Sequence, residues 1–268
     1  MIQWHEGDAI SNGIRLHSYR GGAADGPVIV LSHGVTDSGA CWPDLAPVLA
    51  DRFHVVSYDA RNHGRSEYTH ELYGWDTLGD DEAGLIAALD LAPVVLIGHS
   101  MGAGTAAACA ARHPDLVRGC ILEDPPWMNR GLTTPAQGPS RRETYEKMQS
   151  QSIDALIAGA RQNTPGWDPS ILRPWAEAKK QFNLDIADLY RPDLATWRET
   201  AEAIRCPVLL ITANPELGAR MTAVEREQAT QALRFGTVVN IPGAGHNIRR
   251  EQFGQYVGYV EAFLEQFS

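Results

Sequence analysis

The pentapeptide Gly98-His99-Ser100-Met101-Gly102 limits the folds open to this chain more than any other stretch. It follows an apolar run at 93–97 and precedes a run of small residues at 103–108. This order predicts a strand, a sharp turn and a helix, with the Ser100 hydroxyl standing clear of the backbone at the turn. Glycines on both sides leave room for a tight bend. Because the N-terminus of the helix would stabilise negative charge beside the hydroxyl, we interpret Ser100 as a nucleophile.

Strand-like apolar runs alternate with helical periodicities on both sides of a middle segment that has no strand-like run. Continuous apolar runs are typical of strands buried on both faces of a parallel sheet. The pattern therefore predicts an α/β fold with a mostly parallel sheet and helices on both faces, formed by residues 1–126 and 204–268. Residues 127–203 are predicted to form a helical cap inserted after one strand, with helices around 141–160 and 174–189.

The amino-terminal part of the chain predicts a hairpin. Residues 2–6 and 14–19 have the character of strands, and the Asn12-Gly13 pair between them favours a tight turn. We expect these two strands to be joined by this turn.

Charge and composition exclude several classes of protein. A formal net charge of −10 over 268 residues argues against a nucleic-acid partner, which would require a basic surface. The four cysteines, at 41, 109, 120 and 206, are far apart in sequence and predict free buried thiols, with no metal site and no cofactor. We see neither a signal peptide nor an apolar stretch of membrane-spanning length, and we expect a cytoplasmic protein without a membrane partner.

A serine nucleophile needs a base and an acid. His246, in the loop Gly243-Ala244-Gly245-His246-Asn247, follows the last predicted strand and is the best candidate base. Two loops compete for the acid that would orient this histidine. One holds Glu123 and Asp124 after the strand that follows Ser100, and the other holds Glu216. Both loops lie at the carboxyl ends of predicted strands, so the residues alone leave the acid open.

Two backbone N–H groups are candidates for stabilising an oxyanion. We predict that they belong to Met101, directly after the nucleophile, and to Val35 in the turn His33-Gly34-Val35. His33 and His99 flank the site, but packing or hydrogen bonding to the backbone is the better explanation for both.

Four stretches together resemble the α/β-hydrolase family over nearly the whole chain: Leu31-Ser32-His33-Gly34, the segment 58–66, the Gly98–Gly102 pentapeptide and Gly243-Ala244-Gly245-His246. The resemblance implies an eight-stranded mostly parallel sheet, a cap, and hydrolysis through a covalent acyl-enzyme. It also implies that Arg61 and Asn62, in the second stretch, are structural.

The resemblance bears on the acid as well. Most members place it where Glu216 lies. A subset, including haloalkane dehalogenases and zearalenone-lactone hydrolases, places it where Asp124 lies. We favour Asp124, with Glu216 second and Glu123 on the other side of its strand. Dehalogenases and epoxide hydrolases have aspartate in place of Ser100, so their chemistries are not expected.

Aromatic and methionine side chains in the inserted segment predict an apolar pocket. Trp127, directly after the acid loop, is the best candidate for contact with substrate. We expect a serine hydrolase that cleaves a small to medium apolar ester or lactone. The alternatives are a carbon–carbon bond hydrolase or cofactor-free perhydrolase on the same residues, and a non-catalytic small-molecule receptor. The oligomeric state stays open, with a homodimer allowed.

Overall fold

Eight strands form one sheet in the computed structural model, which describes residues 4–128 and 140–267. The order across the sheet is β1-β2-β4-β3-β5-β6-β7-β8. β1–β2 and β2–β4 are antiparallel pairs, and all the other neighbouring pairs are parallel. The predicted eight-stranded, mostly parallel sheet is therefore confirmed. The strands are β1 (His5–Ser11), β2 (Ile14–Gly22), β3 (Val28–Ser32), β4 (His54–Tyr58), β5 (Val94–His99), β6 (Val117–Glu123), β7 (Val208–Thr212) and β8 (Gly236–Asn240).

Helices cover both faces of the sheet because its central strands are apolar on both sides. In β3, Val30 belongs to one buried cluster, whereas Ile29 and Leu31 belong to the cluster on the opposite face. This is the result expected for strands whose successive side chains point to opposite faces. The helices are α1 (Ala46–Ala50), α2 (Trp75–Ala88), α3 (Met101–Arg112), α4 (Arg141–Ser150), α5 (Ile153–Asn163), α6 (Pro169–Ala178), α7 (Ile186–Leu189), α8 (Trp197–Ala203), α9 (Ala223–Ala232), α10 (Ile248–Glu251) and α11 (Phe253–Leu264).

The amino-terminal hairpin turns where predicted, but its first strand lies further along the chain than expected. Asn12 and Gly13 form the turn with φ values of 47° and 80°, and β1 extends back from Ser11 to His5. The predicted strand at 2–6 coincides with β1 at His5 and Glu6, and its residues 2 and 3 lie outside the described part of the chain. The continuation of β1 to Ser11 was missed because Gly7 and Asp8 interrupt the apolar pattern. As an edge strand, β1 is held by backbone pairing with β2, so it does not need an apolar face.

Helices α4 to α8 lie between β6 and β7, in the segment predicted to be a helical cap. Its described part, 140–203, contributes no strand to the sheet. The predicted helix at 141–160 is divided into α4 and α5, because Ser152 caps a new helix by accepting the Ala155 N–H. α6 begins at Pro169, earlier than expected, where the Asp168 side chain accepts the Ser170 N–H. The division into core and cap domains stays a prediction.

Two of the four free cysteines come together in the fold although 86 positions separate them. The sulfur atoms of Cys120, in β6, and Cys206, just before β7, lie 3.9 Å apart. The sequence predicted free buried thiols. Cys41, Cys109 and Cys120 are buried, whereas Cys206 is partly exposed. The proximity of Cys120 to Cys206 depends on the pairing of β6 with β7. None of the helices in the two described ranges is long and apolar enough to cross a membrane.

Glu82 is a fully buried carboxyl group on α2, inside the core. It accepts hydrogen bonds from the hydroxyls of Ser32, at the end of β3, and Tyr58, at the end of β4. Burial raises the pKa of Glu82 from 4.5 to about 8. The folded protein therefore retains a proton here that the unfolded chain loses above pH 4.5.

We predict that Glu82→Gln flattens the pH dependence of stability. Between pH 4.5 and about 8 the native state binds more protons at this site than the unfolded state, so the free energy of unfolding falls as pH rises. The free energy of unfolding of the variant should equal that of wild type near pH 5. At pH 9 it should be higher than that of wild type by up to about 4 kcal/mol. Urea denaturation at both pH values measures the difference. Glu227→Gln, which removes a charge from the exposed surface, is the control. An equal pH slope in wild type and Glu82→Gln would contradict the assignment.

Candidate catalytic site

The predicted site residues meet at the carboxyl edge of the sheet. Ser100 follows β5, Asp124 follows β6, His246 follows β8 and Val35 lies in the turn after β3. The chain leaves β3 for β4 on one side and returns to β5 on the other, so a crevice opens between β3 and β5. Open α/β sheets bind ligands at such a switch point. The topology explains why residues from remote parts of the chain are neighbours.

The turn at Ser100 is strained and held by its surroundings. Ser100 has φ 54° and ψ −114°, a conformation that non-glycine residues rarely adopt. Its N–H donates to the Glu123 carbonyl of β6 at 2.9 Å. A Cβ on Gly98 would overlap the Gly102 carbonyl, and one on Gly102 would overlap the Ser32 carbonyl. Both glycines are therefore required by close backbone contacts, as the sequence predicted.

Ser100, His246 and Asp124 form one line of hydrogen bonds. His246 Nε2 lies 2.9 Å from Ser100 Oγ, and His246 Nδ1 lies 2.6 Å from Asp124 Oδ2. Asp124 is fully buried and has φ 40°. The Arg220 backbone N–H reaches both of its carboxylate oxygens, at 3.1 and 2.9 Å. The His99 ring donates from Nε2 to the His246 carbonyl at 2.9 Å, which fixes the backbone that carries the imidazole.

The other two candidate acids lie elsewhere. Glu216 is exposed, and its Oε1 accepts a hydrogen bond from Asn214 Nδ2 at 2.5 Å. Glu123 lies on the other side of its strand, where it is buried and accepts the Arg249 N–H at 2.8 Å. Burial raises the pKa of Glu123 to about 7 although the Arg249 cation opposes the shift. Of the three candidate acids, Asp124 is therefore the one that lies beside His246, and Glu216 and Glu123 have other partners. That Asp124 is the catalytic acid stays a prediction.

The peptide bond between Gly34 and Val35 is held in one orientation. The Gly34 carbonyl accepts hydrogen bonds from His33 Nδ1 at 2.8 Å and from the Asp37 N–H at 2.9 Å. In a trans peptide the N–H points away from the carbonyl, so these two donors also fix the direction of the Val35 N–H. Among the described residues neither Val35 N–H nor Met101 N–H has an acceptor. Both remain free to bind an oxyanion, the role that the sequence predicts for them.

Buried histidines support this turn. His33 Nε2 accepts the Ala60 N–H at 3.0 Å, and burial lowers the pKa of His33 to about 3. His63 has a carbonyl oxygen at each ring nitrogen, that of Val35 at 2.7 Å from Nε2 and that of Arg61 at 2.8 Å from Nδ1, and burial lowers its pKa as well. Burial also holds the pKa of His99 well below its usual range. His33 and His99 thus make the buried, backbone-bonded contacts that we expected of them.

Sequence analysis missed a buried ionic cluster beside the site. Asp37, two residues after Val35, accepts hydrogen bonds from Lys179 Nζ and from Arg250 Nη2, each at 2.6 Å. All three side chains are at most 7% exposed. Arg250 lies on α10, four residues after His246, and Lys179 directly follows α6. The proximity of Asp37 to the His33-Gly34-Val35 turn was the one available signal, but its partners are distant in sequence.

Trp127 packs inside the protein. Its ring is 1% exposed and stacks on Trp197 of α8, with centroids 5.3 Å apart and planes 15° apart. In this arrangement both rings fill the core between the inserted segment and the sheet, and contact of Trp127 with substrate stays a prediction. Within the described residues no group of three or more His, Cys, Asp or Glu side chains is arranged to hold a metal ion.

Known proteins of similar sequence are named as a hydrolase and a lipase of different substrates. This chain is 28% identical over 238 residues to a 2-(acetamidomethylene)succinate hydrolase of Mesorhizobium japonicum, over 83% of this chain and 82% of that protein. It is 26% identical over 268 residues to an sn-1-specific diacylglycerol lipase of Mus musculus, over 91% of this chain and 82% of the lipase.

The fold also matches solved structures. A carboxylesterase of Bacillus subtilis superposes with a TM-score of 0.77 at 17% identity, covering 98% of this chain and 92% of the esterase. At that identity the match concerns the fold alone. A model of the alpha/beta hydrolase family matches residues 29–256, which include Ser100, Asp124 and His246. The chain therefore belongs to the alpha/beta hydrolase family, and it shares the hydrolase character of its relatives.

Proposed function

We propose that this protein is a serine hydrolase that cleaves a carboxylic ester or lactone of a small to medium apolar substrate through an acyl-enzyme. The observation that carries the proposal is the unbroken line of hydrogen bonds from Ser100 Oγ through His246 to Asp124. A serine hydroxyl is a weak nucleophile at neutral pH, and a base within hydrogen-bond reach removes this limit.

In the first half of the reaction His246 Nε2 takes the Ser100 proton as Oγ attacks the substrate carbonyl. His246 Nδ1–H donates to Asp124, which keeps the tautomer that leaves Nε2 free and stabilises the imidazolium that forms. The two N–H groups that reach Asp124 from Arg220 and His246 keep its carboxylate oriented. His246 then protonates the leaving alcohol, and a serine ester remains.

In the second half His246 activates a water molecule that attacks this ester, and Ser100 leaves with the proton. The carbonyl oxygen becomes negative in both halves. We assign its stabilisation to the N–H groups of Val35 and Met101, since each such donor is worth about 3–4 kcal/mol in the transition state. Neither step requires a metal or an organic cofactor.

The apolar side chains of the inserted segment are the basis for proposing an apolar substrate. A cavity of about 360 Å³ lies between α4, α5 and α6, with Met148, Leu156, Trp167 and Trp175 among its lining residues, and its lining does not include Ser100, Asp124 or His246. Pockets for small ligands begin at about this size.

A second candidate substrate is an amide that carries carboxylate groups, because the Mesorhizobium relative is named for such a substrate. A panel of p-nitrophenyl esters, lactones, N-acyl amino acids, β-diketones and peracid-forming reactions distinguishes the candidates. This panel includes the carbon–carbon bond hydrolase and perhydrolase alternatives.

We predict that Ser100→Ala lowers kcat for a p-nitrophenyl ester by roughly 10⁴-fold or more, since the nucleophile is removed. Steady-state kinetics measure the loss, and labelling by a fluorophosphonate probe should disappear with it. Ser150→Ala, which changes an exposed serine at the end of α4, controls for nonspecific effects. Unchanged turnover in Ser100→Ala would refute the proposal. A wild-type protein that neither turns over substrate nor takes up the probe would favour a non-catalytic receptor.

For the acid, we predict that Asp124→Asn lowers kcat by roughly 10⁴-fold, because the amide disfavours the productive histidine tautomer. Glu216→Gln should stay within about twofold of wild type, because Glu216 is exposed and bonded to Asn214. Both variants are compared under one assay, with circular dichroism to check folding. The opposite ranking would move the acid to Glu216.

A further inference from the structure

The Asp37 carboxylate joins three separate parts of the site. Its Oδ1 accepts a hydrogen bond from Lys179 Nζ, and Lys179 directly follows α6 in the inserted segment. Its Oδ2 accepts a hydrogen bond from Arg250 Nη2, and Arg250 lies on α10, just after His246. Asp37 itself belongs to the turn that carries Val35. Two buried cations from different elements therefore meet on one buried carboxylate. Their positive charges hold the pKa of Asp37 well below its usual range, although burial alone would raise it.

Lys179 has its donors fully used at this point. Besides Asp37, its Nζ donates to the Thr36 carbonyl at 2.8 Å and to the Thr36 hydroxyl at 3.0 Å. The ammonium lies 4.9 Å from the centre of the Trp175 ring. Three acceptors and an aromatic face compensate the burial of the cation, so Lys179 is held in one position. Its contacts bind residues 36 and 37 to the inserted segment.

The same turn carries the Val35 N–H. The Asp37 backbone N–H donates to the Gly34 carbonyl at 2.9 Å, and this carbonyl belongs to the peptide whose other end is the Val35 N–H. A displacement of Asp37 would therefore weaken one of the two hydrogen bonds that orient the Gly34–Val35 peptide. His33 Nδ1 is the second donor to that carbonyl, so loss of the Asp37 contact would weaken the restraint without removing it. The orientation of the N–H decides whether it can reach an oxyanion.

We propose that Asp37 is a positioning residue for the Val35 N–H and that Lys179 of the inserted segment is required for this role. The inserted segment is then part of the oxyanion-stabilising apparatus in addition to covering the site. This inference rests on the proposed function, because it assigns the Val35 N–H to an oxyanion.

The test compares Lys179→Met with Lys180→Met. Methionine keeps the apolar stem and removes the charge, and it leaves Asp37 paired one-to-one with Arg250. Lys180, the neighbouring residue, is exposed and bonds to carbonyls of Gln149 and Gln151, so Lys180→Met is the matched control. Asp37→Asn is a stronger change that leaves two buried cations without a carboxylate. Because it can prevent folding, the conclusion depends on Lys179→Met.

Kinetics with a p-nitrophenyl ester give the first readout. In Lys179→Met we expect kcat to fall about 10-fold or more, within the 10²–10³-fold that loss of an entire oxyanion donor costs. We expect KM to change by less than about threefold, as for an interaction made only in the transition state. The affinity of a trifluoromethyl ketone, whose hemiketal adduct with Ser100 carries an oxyanion, should fall by the same factor as kcat/KM. A rise in KM alone, or an affinity for the ketone equal to that of wild type, would overturn the proposal.

Amide hydrogen exchange gives a readout that needs no activity. Peptides covering 33–38 should exchange faster in Lys179→Met than in wild type or Lys180→Met, because the turn has lost a restraint. Equal exchange in all three proteins would overturn the proposal even if wild type proves inactive on esters. Faster exchange in a protein without hydrolase activity would leave the positioning contact in place and reject the proposed function instead.

Discussion

Close contact between the turn at Ser100 and the end of β3 is the constraint on which the rest of the site depends. Gly102 lies so near the Ser32 carbonyl that any side chain would overlap it. This contact brings the serine, held at φ 54°, beside the turn that carries Val35. A strained backbone of this kind persists where its surroundings over-determine it. Here the Glu123 carbonyl, which accepts the Ser100 N–H, supplies part of that restraint.

Burial divides the ionisable groups around this contact into two sets. His33, His63 and His99 are buried, their pKa values are lowered, and each bonds to a backbone carbonyl. Their contacts hold the loops in place. The His246 side chain is 19% exposed and bonds to Ser100 and Asp124 instead. The proposed base is thus the one histidine of these four that is partly exposed to solvent, and the other three contact the backbone around it.

Much of the fold and the site could be predicted from local patterns. The apolar runs predicted the parallel strands, and Asn12-Gly13 predicted the hairpin turn, since both depend on neighbours in the chain. The extent of β1 could not be predicted, because an edge strand with Gly7 and Asp8 is stabilised by pairing with β2 and not by its own pattern. The helix boundaries in the inserted segment differ from the predicted ones for another reason. Ser152 and Asp168 start new helices there through side-chain caps.

The sequence by itself determined the residue types of the site: a serine between two glycines, a histidine in a glycine-rich loop and three carboxylates after strands. The residues alone did not say which of these carboxylates is the acid, and the preference for Asp124 came from the resemblance to a subset of the α/β-hydrolase family. Only the tertiary structure decided that Asp124 meets His246, because the position of a carboxylate depends on which side of β6 it faces. Only the tertiary structure brought Lys179 and Arg250 to Asp37, since charges more than 140 positions apart leave no local pattern. Local preferences act over a few residues, whereas these contacts arise from how strands and helices pack.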